Sequence, residues 1–393
     1  MLPIARRLLT VICVLGTLEL CTRCFAPPPV ELACRDDQVG LRYFPSTTRP
    51  FYSHESKRTI DIRANACGLR GPDFAVPKPD NVVRVAVLGD SYIAAHALND
   101  EECLTGQMAE ILNQRPNPAA RGTRWEVMNC GVVGSSTGQQ LALYEEVVRK
   151  LEPDVVIVAV SPDDMVDNSE ELSNKPIVRY RINSSGELER VPCSSARLAA
   201  GAELRRSRFY EWQQSKVNRL IREIRATIRG GEQEIHKSKL AYLTRESERV
   251  QRAWTLTSRI LDELRKQTER DGAELIVAFV PVAEQVYEDY SEQLRRESEA
   301  PEQFDVQHPE RRLREICQQA GITYLPGLAE QMRAALPRPA AFHFDGQGHL
   351  NAAGHRQLAE KLAGSLLEKP PTHSSRSQAE RVTSRPADLR GAR

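Results

Sequence analysis

Two short stretches, far apart in the chain, carry residue types that could share one reaction. The first is Gly89-Asp90-Ser91, directly after the apolar run Val82 to Leu88. A serine at the end of a strand and the start of a helix can act as a nucleophile, its own N–H helping to bind an oxyanion. The second stretch is Phe342 to His355, where Asp345 and His349 sit in a Gly- and Asp-rich loop before the last helix. His349 could draw the proton from Ser91 as general base, and Asp345, four residues earlier, could orient it. His355 reads as a helix-start or structural histidine, His343 as a lesser rival, and His96 as pointing along the helix after Ser91. Together these types could run acyl transfer through a serine nucleophile. Gly-Asp-Ser alone also describes a glycine turn followed by a capping serine, so the surrounding elements have to discriminate.

Those elements alternate. Val82 to Leu88 is β-branched and nearly all apolar, the signature of a strand buried on both faces of a parallel sheet. Helical spacing follows over 101–112, a second strand over 125–133, a helix over 139–151 and an all-apolar third strand over 155–160. A fourth strand spans 273–282, a short fifth lies in Gly321 to Tyr324, and a helix over 356–367 follows the His349 loop. Such alternation predicts an α/β fold of three layers around a doubly wound, flavodoxin-like parallel sheet. The turns Gly89-Asp90-Ser91, Gly134 to Gly138 and Ser161 to Asp164 all follow strands and should gather on one sheet edge. Residues 169–200 read as irregular. About 202–271 is charged and helical, broken near Gly230-Gly231, and reads as a helical insertion or as helices covering the sheet, with Trp212 and Trp254 as packing anchors.

The flanks and the composition bound the function class. Arg6 and Arg7 precede an apolar run from Leu8 to about Leu20, so residues 1–26 read as a signal peptide or N-terminal anchor, implying export to the cell envelope, with membrane attachment left open. Residues 27–80 are Pro-rich and extended, with an edge strand at Ile60 to Arg63, and no chemistry is read there; 368–393 reads as a disordered tail. With 54 basic and 53 acidic residues in 393, and aromatics at 6%, no basic stripe marks a nucleic-acid partner. Cys34 with Cys67 would make a staple, and Cys130 reads as a buried thiol. No His/Cys spacing suits zinc, and no metal or cofactor is expected.

Gly89-Asp90-Ser91, Gly134, Asp163-Asp164 and Asp345 with His349 stand in the order of the blocks of the SGNH (GDSL-type) hydrolases. With Ala66 to Gly71 and Asn129 to Gly134, residues 60–366 resemble the exported bacterial branch related to alginate acetyltransferase-type proteins. The resemblance implies Ser91 as nucleophile, His349 as general base, Asp345 as its orienting carboxylate, and an oxyanion hole from Ser91, Gly134 and the residue at 163. It implies a serine esterase acting on O-acyl esters of an envelope carbohydrate or lipid. The alternatives are an O-acetyltransferase needing an acyl-donor partner, or a catalytically impaired SGNH-fold binding protein. Three positions depart from the pattern. Asp163 replaces the asparagine that donates to the oxyanion, and an ionised carboxylate cannot donate. Protonation of Asp163, or substitution by a neighbour such as Asn168, would repair this. Ala95 replaces a glycine, and Asp345 lies further from His349 than the family's usual spacing.

Overall fold

The computed structural model describes residues 31–114, 123–173, 177–192, 237–296, 300–335, 341–344 and 348–371, with residues 10, 13–21, 24, 175 and 298. From residue 31 onward four strands come first: β1 (Ala33–Asp36) pairs with β2 (Gly40–Tyr43), and β3 (Thr47–Ser53) with β4 (Arg58–Ala64), both antiparallel. The central sheet is built from β5 (Val82–Gly89), β6 (Arg124–Gly131), β7 (Val155–Val160), and later β10 (Glu274–Phe279) and β11 (Thr323–Leu325). Between β7 and β10 lie a small antiparallel hairpin, β8 (Arg179–Ile182) and β9 (Leu188–Val191), within the stretch expected to be irregular.

The five strands pair in parallel in the order β11-β10-β7-β5-β6. This is the flavodoxin-like doubly wound order, with its switch point between β5 and β7, where the carboxyl ends of the strands leave a crevice. Every residue of β5 and of β7 is buried, as a strand covered on both faces requires. Val83, Val85 and Val87 of β5 face one core, and Ala86 and Leu88 the other.

The first core is closed by α2 (Leu104–Gln114), α9 (Leu328–Ala334) and α10 (Ala352–Glu368). The second is closed by α3 (Thr137–Glu146), α4 (Pro162–Asn168), α5 (Glu248–Asp271) and α8 (His308–Ala320). Between β5 and α2 lies α1 (Ser91–Ala94), and between β10 and α8 lie α6 (Ala283–Val286) and α7 (Glu288–Arg296). Helix α5, inside the region expected to be inserted, covers the sheet: Trp254, Ile260, Leu261 and Leu264 are core residues. Trp212 and residues 202–236 lie outside the described residues, as do most of the leader and the tail from 372. Among the described residues no helix is long and apolar enough to cross a membrane.

The N-terminal hairpins dock on the β6 side of the sheet. Ile60, Ile62 and Ala64 alternate inward along β4 and share a small core with Leu32 and Tyr43. Arg70 bridges Ala64 on one side and Asn129 of β6 on the other. Its guanidinium, 1% exposed, donates to the Ala94, Ala95 and Leu98 carbonyls at 2.6–2.7 Å and to Asp100 at 2.8 Å. Cys34 and Cys67 are free thiols here, without the expected staple, and Cys130 is buried.

Candidate active site

Ser91 is the first residue of α1, at the carboxyl end of β5, beside the switch point. The helix lasts only four residues because Ala95 turns left-handed at φ 48° and gives its N–H to the Ser91 carbonyl. Two glycines let it sit down on the sheet. A Cβ on Gly89 would lie 2.3 Å from Ile93 Cγ1, and one on Gly131 would lie 2.3 Å from the Ala94 nitrogen. Asn129 Nδ2 then donates to the Ile93 carbonyl at 2.8 Å, and the Arg70 guanidinium holds the carbonyls at the end of the helix. The serine is thus fixed from both ends.

His349 comes from the loop before α10 and brings Nε2 to 2.9 Å from Ser91 Oγ. Its Nδ1 is hydrogen-bonded to the carboxylate of Glu55, at the turn between β3 and β4. An ionised carboxylate only accepts, so Nδ1 carries the proton and Nε2 of the neutral ring is free to accept from the Ser91 hydroxyl. Burial works against the imidazolium, but the Glu55 hydrogen bond and charge, helped by Asp90, outweigh it and hold the His349 pKa above its ordinary value of 6.5. Tyr92 flanks the ring at 5.1 Å between centroids, and its hydroxyl donates to the Gly348 carbonyl at 2.8 Å, tying the His349 loop to α1.

The orienting carboxylate expected from sequence, Asp345, lies outside the described residues; the carboxylate on Nδ1 is Glu55. Glu55 comes from the segment read as carrying no chemistry, 294 residues before its partner. One signal was available: the alternation at Ile60 to Arg63 implied a strand, and a strand needs an antiparallel or parallel neighbour whose turn must point somewhere.

Of the residues expected at an oxyanion hole, Gly134 sits in the β6–α3 turn at φ 71°, and Ser135 Oγ next to it donates to the Gly89 carbonyl at 2.9 Å, closing that turn against β5. Asp163 is exposed in the first turn of α4, after β7. Burial holds the Asp90 carboxyl above the usual carboxylate range, against the Tyr92 N–H that it accepts, and the Asp163 charge pushes the same way. Burial likewise raises the Glu284 carboxyl, against the Tyr242 hydroxyl that donates to it, and the Asp163 charge adds to the rise. Asn168 is no substitute donor. Its Nδ2 is committed to Thr137 Oγ1 at 2.6 Å and Thr257 Oγ1 at 2.9 Å, its Oδ1 accepts from the Gly138 N–H, and it is buried.

Ser91 and His349 open on a cavity of about 250 Å³ between the β3–β4 hairpin and the turn after α1. Three other histidines are hydrogen-bonded to partners other than Ser91. His96 bonds Tyr43 Oη at 2.7 Å instead of pointing along a helix, since the next helix begins only at Leu104, and burial pushes it down to about 3. His355 Nδ1 accepts the Leu104 N–H at 3.0 Å, and burial pushes it down to about 3 as well. His343 Nε2 donates to the Pro281 carbonyl at 3.0 Å deep in the fold.

No family model matches the chain, and no curated protein matches it in sequence. Among solved structures it is similar to TesA, at 12% identity and a TM-score of 0.39 over 72% of this chain and 97% of that one. It is also similar to Axe2, an acetylxylan esterase from Geobacillus stearothermophilus, at 15% identity and a TM-score of 0.38 over 72% and 94%. A third, the acetyl xylan esterase AlAXEase, stands at 13% identity and 0.38 over 72% and 100%. At such values the likeness assigns neither a family nor an activity; those rest on the chain's own residues.

Proposed function

We propose that this protein is an SGNH-type serine esterase that cleaves O-acyl esters through an acyl-enzyme. The observation that carries the reading is the relay from Ser91 Oγ through both nitrogens of His349 to Glu55, at the carboxyl edge of a parallel sheet. In this reading Ser91 attacks the acyl carbon as His349 Nε2 takes its proton. The same proton passes to the departing alcohol, and water attacks the acyl-serine by the reverse route. Glu55 acts as a positioning residue: it fixes the tautomer and stabilises the imidazolium that forms. The Ser91 and Gly134 N–H groups receive the oxyanion. The basic and apolar leader supports an exported enzyme, and with it an envelope carbohydrate or lipid as the alcohol.

Asp163 favours a second element of the reading, a restrained rate. An ionised carboxylate at the oxyanion hole opposes the charge that develops there. The test is hydrolysis of a short-chain nitrophenyl ester by the full chain, Ser91→Ala and Asp163→Asn. Ser91→Ala is expected to lose activity by a factor on the order of a million. Asp163→Asn is expected to gain about tenfold or more. Turnover that survives Ser91→Ala would remove the esterase reading, and a loss in Asp163→Asn would remove the restraint.

A further inference from the structure

We propose that Tyr52, Ser53 and His54, at the tip of the N-terminal hairpin, form a sugar-binding subsite that selects esters of neutral oligosaccharides. This deepens the esterase reading and rests on it. The β3–β4 hairpin is a separate two-stranded unit beside the five-stranded sheet, so the recognition is carried by an addition to the α/β body.

Exposure alternates along the end of β3, as a strand dictates. Ser53 points inward, 3% exposed, and lines the cavity that Ser91 and His349 open on. Its Oγ accepts the Ser56 N–H at 3.3 Å, while its own proton has no acceptor among the described residues. A buried hydroxyl proton left in this way favours a ligand that brings an oxygen to it. His54 is exposed and lines the same cavity, and neither ring nitrogen is hydrogen-bonded among the described residues. In its neutral form the ring offers one donor and one acceptor, the pairing that a sugar hydroxyl can meet. Tyr52 points outward, 52% exposed, with its ring 5.2 Å from that of His54 and at 88° to it. From residue 31 onward the described chain exposes five large apolar side chains, Tyr52, Val76, Val133, Ile182 and Tyr290. Val133 lines the cavity and Tyr52 packs on His54 at its rim, so two of the five stand at one entrance.

A sugar ring matches both kinds of surface: its C–H groups pack on an aromatic ring or a valine, and its hydroxyls meet Ser53 and His54. A lipid surface would need a continuous apolar patch. The hairpin face around Tyr52 is mixed instead, with exposed Tyr52 and Pro50 paired in register with exposed Thr59 and Asp61. Charge narrows the choice of sugar. Burial first, then the carboxyl groups of Glu284, Asp90, Asp163 and Glu55, hold the Tyr92 hydroxyl well above its ordinary range, and Tyr92 lines the cavity. Among the described residues no arginine or lysine lines it, and the Arg70 donors are spent on three carbonyls and Asp100. A uronate would add an anion to that field, and a neutral sugar adds none. Ser53 and His54 line the cavity and Tyr52 stands outside it, so the sugar bearing the ester meets the first two and the next sugar lies on Tyr52.

Acetate release by the full-length protein from glucose pentaacetate, cellobiose octaacetate and nitrophenyl acetate tests this. kcat/KM is expected to be about three- to tenfold higher for the disaccharide than for the monosaccharide. Tyr52→Ala is expected to erase that gain through KM, and Tyr52→Phe to keep it. Ile182→Ala, equally a loss of an exposed apolar side chain but on β8, is expected to change nothing. Ser53→Ala and His54→Ala are each expected to cost the sugar esters about three- to tenfold more than nitrophenyl acetate. An equal fall on all three esters would instead mark a displaced Glu55 and would overturn that residue's place in the subsite. An acetylated galacturonate dimer is expected to react more slowly than the cellobiose ester at low salt, the gap closing as salt is added. Tyr52 is exposed, so its variants decide even where Ser53→Ala fails to fold. Equal rates on the two sugars with Ser91-dependent turnover of nitrophenyl acetate, or a disaccharide gain that survives Tyr52→Ala, overturns the subsite and leaves the esterase standing. So does faster turnover of the galacturonate ester, or of a lipid ester in vesicles. No turnover of any ester overturns both.

Discussion

The α/β body and the N-terminal hairpin contribute to one site by different physical routes. In the body, Ser91, Gly134 and Asp163 lie on one edge because each follows a parallel strand, and parallel strands bring their carboxyl ends to one edge. No special contact is needed to gather them. Glu55 has no such guarantee. It sits at the tip of an antiparallel hairpin joined to the central sheet through the bridges of Arg70, and its reach to His349 depends on docking. Docking is held by the buried Arg70, by Tyr43 on His96, and by a two-pronged ion pair from Arg58 to Glu102. The proposed reaction centre draws its parts from a rigid edge and a docked hairpin, and so can be taken apart one side at a time.

The largest separation should come at Glu55. Glu55→Gln leaves Ser91 and the Gly134 turn in place and removes the carboxylate that accepts from His349 Nδ1. The loss in kcat is expected to be on the order of a hundredfold to ten-thousandfold, with the fold intact by circular dichroism. The pH profile sharpens it. Because Glu55 holds the His349 pKa above 6.5, the basic form is lost as pH falls through that raised value, and the acidic limb of kcat/KM lies above 6.5. In Glu55→Gln the limb should move to lower pH; a limb that stays put would show that Glu55 does not act through the imidazole.

Arg70 comes next and acts on both regions. Arg70→Met strands three carbonyls and Asp100, and equilibrium urea unfolding should report a destabilisation of about 3–5 kcal/mol. A change under about 1 kcal/mol would mean that the hairpin docks by other means. The smallest effect is expected for the Arg58–Glu102 pair, which is largely exposed on the arginine side. A double-mutant cycle should give about 0.5 kcal/mol or less, and less again at high salt.

Much of the site was legible without coordinates. The all-apolar runs at 82–88 and 155–160 announce strands covered on both faces, and each ends in a turn with Gly, Ser or Asp. His349 was separable from His355 and His343 by its loop context, and the structure puts Nε2 of His349 on Ser91. The expectation for His96 failed because helical spacing was assumed to continue past Ala95, where the backbone turns left-handed. Asn168 looked available as a donor because nothing local says that Thr137 and Thr257 will be its partners.

What the sequence determined by itself is local: which runs become strands, which turns follow them, and that a serine begins a helix at one such turn. Periodicity and turn chemistry act over a few residues, and the parallel sheet converts them into a shared edge. Only the tertiary structure decided that a carboxylate 294 residues away completes the histidine's hydrogen bonds, and that the same hairpin roofs a cavity beside the serine. A polar turn tip reads as solvated whether or not it docks. Its partner is chosen by the packing of the hairpin against the sheet, which no local pattern encodes.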